Sequence, residues 1–289
     1  MDILLPNEAY TLRDSGHGMK LERFGNYTIA RPDPTALWEP TLAPAIWQAA
    51  DAIFSKEKSA LRGERWRNVN VSEDLWTISC DDIRMRLHLT PFKHTGLFPE
   101  QILNWRWFGP LISSAPKPVR VLNLFGYTGG ATLYAAACGA EVTHVDASKP
   151  SVTWARENQI LSGLQDAPIR WIVDDAYKFV TREARRGVRY DAVIMDPPSF
   201  GRDPKGKVFT FEKDVPKLLE AVRTILEPDP LFVLINSYAM GYSPTVIKNL
   251  LAHILPLEKI TCGELHIREE YTQRTLPCSV YARYQDSII

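Results

Sequence analysis

From residue 119 onward, short apolar runs alternate with longer stretches of helical period. The runs "VRVLNLF" (119–125), "EVTHVD" (141–146), "IRWIVDD" (169–175), "YDAVIMD" (190–196) and "LFVLIN" (231–236) are nearly continuous in apolar residues, the pattern of strands buried on both faces. Between the first two, "GGATLYAAAC" (129–138) is rich in Ala and Leu, and Gly139 follows it as a helix stop. Ser148 and Pro150 supply an N-cap and a first turn for a helix running to Ser162, with Gly163 behind it. "AYKFVTREARR" (176–186) and "DVPKLLEAVRTILEP" (214–228) continue the series, the second placing Leu218, Leu219, Val222, Ile225 and Leu226 on one face. Ser243-Pro244 opens a last helix to about Leu255, and "EKITCGELHI" (258–267) and "PCSVYARYQ" (277–285) read as two closing strands. This alternation predicts an α/β fold, a doubly wound sheet with helices on both faces.

The first 112 residues lack that order. "GMKLERFGNYTIARP" predicts a hairpin turning at Gly25-Asn26, "APAIWQAADAIFSKE" (43–57) a helix, and "LWTISCDDIRMRLHLT" (75–90) strand alternation around Asp81-Asp82. The expected organisation is a small β-rich region over 1–112 and a sheet domain over 113–289, with "SSAPKPVR" (113–120) at the join.

Composition narrows the class. The 289 residues are 45% hydrophobic and 24% charged, the balance of a soluble globular protein. No apolar run approaches the ~20 residues of a membrane span. "MDILLPNEAY" carries no basic segment and too short an apolar run for a signal peptide, so the expected location is cytoplasmic. Four scattered cysteines form no CxxC pair, which argues against structural zinc, and no metal is expected. A net charge of zero argues against a nucleic-acid coat protein and leaves room for a local basic face.

In an open parallel sheet, ligands bind beyond the carboxyl ends of the strands, where strand order reverses. The chemically unusual residues of this half stand at such ends: 125–130, Asp146, Asp174-Asp175, Asp196-Pro197-Pro198 and Asn236-Ser237. "NLFGYTGGAT" brings Gly126, Gly129 and Gly130 between a strand and a helix N-terminus, where bare backbone approaches a ligand. Its G-x-x-G-G spacing misses the G-x-G-x-x-G dinucleotide fingerprint. Asp146 can accept both hydroxyls of a ribose, and Asp174-Asp175-Ala176 can accept from an adenine amine. Together they point to a nucleoside-containing cofactor. "MDPPSF" (195–200) ends a buried strand on a carboxylate and two prolines, a stiff elbow that presents acceptors and no N–H.

"VLNLFGYTGGAT", "VDASKPSVTWARENQILSGL", "DDAYKFV" and "DAVIMDPPSF", with "HTGLFPEQ" (94–101) upstream, resemble class I S-adenosylmethionine-dependent methyltransferases of the large-subunit ribosomal RNA methyltransferase I and K/L type, over roughly residues 90–280. The resemblance implies a Rossmann-like, doubly wound seven-stranded sheet with S-adenosyl-L-methionine as cofactor. It implies that Phe125, Gly126, Tyr127, Thr128, Gly129 and Gly130 wrap the methionine part. Asp146, with Ala147 and Ser148, would hold the ribose. Asp174, Asp175 and Ala176 would meet the adenine, and Phe98 and Gln101 would close the pocket. Asp196, Pro197, Pro198 and Phe200 would face the acceptor, with Asp196 also bordering the cofactor.

The implied partner is RNA, with methylation of a ribosomal RNA base at nitrogen as the leading reading. The cytosine-C5 relatives carry a cysteine after the fifth strand; here "INSYAMGYSP" has none. "PEQI" also replaces the family's Asp-Gln-Arg, and the family's RNA-binding extension is not recognisable in 1–112. A protein side chain or small metabolite as acceptor, C5 methylation, a nicotinamide-dependent oxidoreductase and an inactive scaffold stand as alternatives. Basic groups that could meet RNA are Arg62, Arg65 and Arg67 around Trp66; Arg182, Arg185, Arg186 and Arg189; and Arg202, Lys205 and Lys207.

Overall fold

The computed structural model describes residues 1–54, 66–72, 76–91, 93–202, 208–238 and 241–286. The strands of the first part are β1 (Asp2–Leu4), β2 (Tyr10–Gly16), β3 (Met19–Phe24), β4 (Tyr27–Pro32), β5 (Ala52–Phe54), β6 (Trp66–Arg67), β7 (Thr77–Cys80) and β8 (Ile83–Arg86). They are followed by β9 (Arg120–Leu124), β10 (Glu141–Asp146), β11 (Ile169–Val173), β12 (Ala192–Met195), β13 (Phe200–Arg202), β14 (Val208–Thr210), β15 (Phe232–Tyr238), β16 (Ile260–Arg268) and β17 (Thr275–Gln285). The helices are α1 (Pro44–Gln48), α2 (Ile102–Ser113), α3 (Gly130–Ala137), α4 (Lys149–Leu161), α5 (Ala176–Arg185), α6 (Phe211–Arg223) and α7 (Pro244–Leu251).

The chain divides into two compact units: Met1–Asp2, Leu103–Leu265 and Cys278–Ile289 form one, and Ile3–Ile102 with His266–Pro277 the other. The join expected at 113 and this division differ by α2. A C-terminal stretch also returns to the unit of the N-terminal residues.

The large sheet runs β11-β10-β9-β12-β15-β17-β16-β1. Seven of its strands are those expected, and Asp2–Leu4 adds an eighth at the edge. β10 pairs in parallel with β9 and β11, and β12 with β9 and β15, so strand order reverses between β9 and β12. β17 lies antiparallel to β15. On one face Leu122, Leu124, Val193, Met195, Val233 and Ile235 pack under Phe179, Val215, Leu218, Leu219, Val222 and Ile247 of α5, α6 and α7. On the other, Phe108 of α2 stacks on Phe232 at 5.6 Å and meets Tyr134 of α3 edge-on. The boundaries of α4 follow the local chemistry read from sequence, whereas α6, expected over 214–228, starts at Phe211 and ends at Arg223. Ser148 accepts from the Ser151 N–H as N-cap of α4, and Gly163, at φ +69°, takes the left-handed conformation beyond its end.

The second unit is built on the sheet β2-β3-β4-β5-β6 and the hairpin β7–β8. β3 and β4 turn at Gly25-Asn26, with Phe24 opposite Tyr27, as the sequence predicts, and the strand alternation read over 75–90 is the hairpin β7–β8, which turns at Asp81-Asp82. The helix expected over 43–57 is a correction. α1 spans only Pro44–Gln48, and the chain then enters β5. Asp51 takes the Thr28 N–H on its carboxylate and gives its own N–H to the Thr28 carbonyl, which draws Ala52 and Ile53 alongside Ile29 and Ala30. Tertiary pairing overrides an Ala-rich local preference there; residues 55–57 lie outside the described residues.

Helix α2 is absent from the sequence reading, and it carries Pro110 inside it. Its buried Trp105, Phe108, Leu111 and Ile112 hold it in place. α7 ends at Leu251, short of the expected Leu255.

Candidate active site

The carboxyl edge of the sheet carries the unusual residues in one row. The Asp174 N–H bonds the Asp146 carbonyl, the Gly126 N–H the Val145 carbonyl, and the Asp196 N–H the Leu124 carbonyl. Adjacent parallel strands thus hand three acids to the rim on either side of the β9–α3 loop.

In that loop Phe125 and Tyr127 have φ of +60° and +48°, the left-handed region that side chains rarely occupy, and Gly129 has +89°. The glycines answer first to the protein itself. A Cβ on Gly126 would lie 2.4 Å from the His144 ring, one on Gly129 2.9 Å from Ala155 Cβ, and one on Gly130 2.5 Å from Trp105. The loop therefore seats directly on β10, α4 and α2. Thr128, Gly129 and Gly130 are buried, while Phe125, Gly126 and Tyr127 are half-buried and form its outer edge. Asn158 of α4 donates to the Thr128 carbonyl and pins the turn.

Beneath it lies a buried polar relay that sequence reasoning missed. Asn123 donates to Thr132 Oγ1, which contacts His144 Nδ1 at 2.8 Å. Burial pushes His144 down to about 3, so the ring is neutral.

Asp146 accepts the Tyr127 N–H on one oxygen at 2.9 Å and the Ser148 N–H on the other at 2.8 Å. Burial raises its pKa, and the two N–H donors oppose that rise. Ala147 and Ser148 complete the half-buried turn into α4. Asp175 is the N-cap of α5, accepting from Lys178 N–H, and Ala176 opens the helix. Asp174 accepts the Asp175 N–H and pairs with Arg182 at 2.7 Å.

Asp196, half-buried beyond β12, accepts from Asn236 Nδ2 at 2.9 Å. Pro197 is buried, and Pro198 and Phe200 are exposed, Phe200 by 55%. Next comes a short antiparallel ribbon, β13–β14, in which Gly201 faces Phe209 and Phe200 faces Thr210. Phe209 packs on Phe125 of the β9–α3 loop at 5.5 Å. The elbow thus leads into a ribbon with one ring, Phe209, against the loop.

The sequence matches the S-adenosylmethionine-dependent methyltransferase family over residues 39–253. The chain belongs to this family. Its whole length resembles the crystal structure of an S-adenosylmethionine-dependent methyltransferase from Agrobacterium tumefaciens, with 41% identity, a TM-score of 0.91, and 99% of this chain and 94% of that one covered. The fold also matches a crystal structure complexed with S-adenosylhomocysteine, at 20% identity and a TM-score of 0.71, over 96% of this chain and 76% of that one. Among curated relatives, ribosomal RNA large subunit methyltransferase K/L of Shewanella baltica is 34% identical over 156 residues, which are 53% of this chain and 21% of that one. Ribosomal RNA large subunit methyltransferase K of Neisseria meningitidis is 25% identical over 240 residues, 81% of this chain and 67% of that one. The chain spans about a fifth of the length of the K/L relatives it matches.

The family's cofactor is S-adenosyl-L-methionine, and the rim fits it. Each Asp146 oxygen takes one backbone N–H and has a second lone pair to offer, which suits a ribose diol. The loop edge at 125–127 and the α5 N-terminus at Asp175-Ala176 flank that carboxylate along the sheet.

Phe98 and Gln101 stand in the other unit, at the two ends of a tight turn. The Gln101 N–H bonds the Phe98 carbonyl, and Phe98 packs near His94 at 5.2 Å. Of the basic groups, Arg182 pairs with Asp174 and Arg186 with Glu183, which Arg170 also meets. Arg189 donates to the Leu226 carbonyl. These are structural partners for much of the 182–189 cluster. Trp66, half-buried, donates to the Thr90 carbonyl and packs on Phe54. Trp105 and Trp107 pack against Tyr134 and Phe232. Arg62, Arg65, Lys205 and Lys207 lie outside the described residues, as does the side chain of Arg202.

Proposed function

We propose that this chain transfers a methyl group from S-adenosyl-L-methionine to a base nitrogen of ribosomal RNA, in the cytoplasm. The observation that carries the reading is the Asp196-Pro197-Pro198 elbow. It stands beyond β12, beside the cofactor loop at the reversal of strand order, with Phe200 exposed just after it. Residues 113–289 would form the methyltransferase domain, with 1–112 as the β-rich N-terminal region.

When bound, the cofactor supplies a methyl group already activated on sulfur, so the protein's work is placement. Asp146 would accept the ribose hydroxyls, with Ala147 and Ser148 turning the backbone to it. Asp174, Asp175 and Ala176 would border the adenine. Phe125, Gly126, Tyr127, Thr128, Gly129 and Gly130 would carry the methionine part. An exocyclic amine has its lone pair drawn into the base. The Asp196 carboxylate and the Pro197 carbonyl would accept its two N–H bonds and turn that lone pair toward the methyl. The prolines hold φ, so these acceptors stay in place. Phe200 would stack on the extruded base.

Support for RNA comes from the ribosomal RNA methyltransferases among the relatives. Methyl-labelled S-adenosylmethionine with unmodified ribosomal RNA, free and in subunits, tests the reading. A labelled base amine is the expected product. Asp196→Ala should lower kcat by about 100-fold or more while S-adenosylhomocysteine affinity stays. Full-rate transfer by that variant removes the acceptor role.

A protein side chain or metabolite as acceptor is the second reading, favoured by the internal pairing of Arg170, Arg182 and Arg186. Label in an extract of proteins or metabolites, with none in RNA, would select it.

A further inference from the structure

Two buried polar side chains stand behind Asp196 on neighbouring strands. In the β12–β15 register Met195 faces Ile235, so Asp196 and Asn236 are the next pair along. Asn236 is 1% exposed and donates Nδ2–H to Asp196 Oδ1 at 2.9 Å. Ser279 of β17, buried as well, donates its hydroxyl to Asn236 Oδ1 at 3.0 Å. The chain of donors runs one way, from Ser279 to Asn236 to Asp196. An amide whose oxygen is taken by a hydroxyl presents its NH₂ to the carboxylate, and a carboxylate accepts only in that sense.

The physical need is clear. The torsion between Cβ and Cγ of an aspartate is broad, so a half-buried carboxylate swings unless something holds one oxygen. The prolines after Asp196 stiffen the backbone but leave that torsion free. We infer that Asn236, oriented by Ser279, is a positioning residue that fixes the rotation of the Asp196 carboxylate and so the direction in which it meets the acceptor. This rests on Asp196 being the acceptor-facing group proposed above. Asn236 touches no substrate; it acts through Asp196.

The test compares wild type, Asn236→Ala, Ser279→Ala, Asp196→Ala and the Asp196→Ala/Asn236→Ala double variant. Steady-state methylation, S-adenosylhomocysteine affinity and the crystal structure of each single variant are measured. Asn236→Ala should lower kcat by about 10- to 100-fold, with KM for the methyl donor and S-adenosylhomocysteine affinity unchanged. Ser279→Ala should lower kcat less, in the same pattern. Asn236→Ala should add nothing once Asp196 is Ala. The Asp196 carboxylate should turn about its Cβ–Cγ bond in both single variants.

An unchanged kcat, an equal loss in the Asp196→Ala background, or a loss of cofactor affinity in step with activity would overturn the inference. If Asn236→Ala does not fold, Ser279→Ala carries the same comparison, since it removes only a hydroxyl. If wild type labels a protein or metabolite and not RNA, the substrate reading fails and the kcat comparison on that acceptor still decides the positioning role. If no acceptor is found, the carboxylate's rotation decides it: an unmoved carboxylate overturns the inference.

Discussion

Asp146 shows at the scale of one residue how burial and function meet. Its carboxylate is held by two backbone N–H groups at the rim, and burial sets its pKa above the ordinary carboxylate range. The ionised form is the one that accepts two hydroxyls. S-adenosylhomocysteine affinity should therefore weaken as pH falls through that raised value, at a higher pH than for an exposed aspartate. Calorimetric titration across acid pH checks the position of the fall. Asp146→Asn should cost about 10- to 100-fold in affinity and lose this pH dependence. The sequence marked Asp146 because an acid at the end of the strand after the glycine loop can accept both hydroxyls of a ribose. Asp175 was marked at the next strand end and proves to be an N-cap as well, a role any acid before a helix can take. Asn236 was marked by its place at a strand end, but its bonds to Asp196 and Ser279 are legible only in space, because these partners are remote in sequence and on different strands.

At the scale of elements, the β9–α3 loop is shaped by what lies under it. Gly126 has no room for a side chain because His144 is locked beneath it, held by Thr132 and flanked by Trp171 at 4.7 Å. Gly126→Ala should destabilise the protein by ~1–3 kcal/mol through overpacking, seen as a lower denaturant midpoint. A wild-type midpoint would mean that the relay beneath the loop yields. The α/β alternation of this half was readable from period and caps, since each strand and helix is stabilised by its own pattern. α2 was not, because a helix can carry Gly109-Pro110 when neighbouring rings bury its other face. Residues 43–57 misled for the converse reason: Asp51 pairs with Thr28, and a strand replaces an Ala-rich helix.

At the scale of the molecule, acid should destabilise this protein over two overlapping pH windows. Burial holds His94 down to about 4 and His144 to about 3, so both are neutral in the fold and protonate more readily when unfolded. Stability is therefore lost as pH falls below ~6.5, the unfolded value for histidine. Burial alone would raise Glu22, but Arg31 and Lys20 beside it bring it down to about 2. Its contribution is present above the unfolded value of 4.5 and is lost as pH falls from there through about 2. Melting temperature should drop across both windows, and His94→Gln should flatten the first; a flat profile from pH 7 to 5 would contradict the buried neutral histidines. By itself the sequence determined the fold class and the order of acids along the strand ends, because those follow from local periodicity and short motifs; the cofactor's identity came from the family resemblance those motifs carry. Only the tertiary structure decided which polar groups hold one another: the relay under the loop, the pairing of the arginines, and the Ser279–Asn236–Asp196 chain. Those depend on which strands become neighbours, and hydrogen bonds between residues far apart in sequence leave no periodic trace along it.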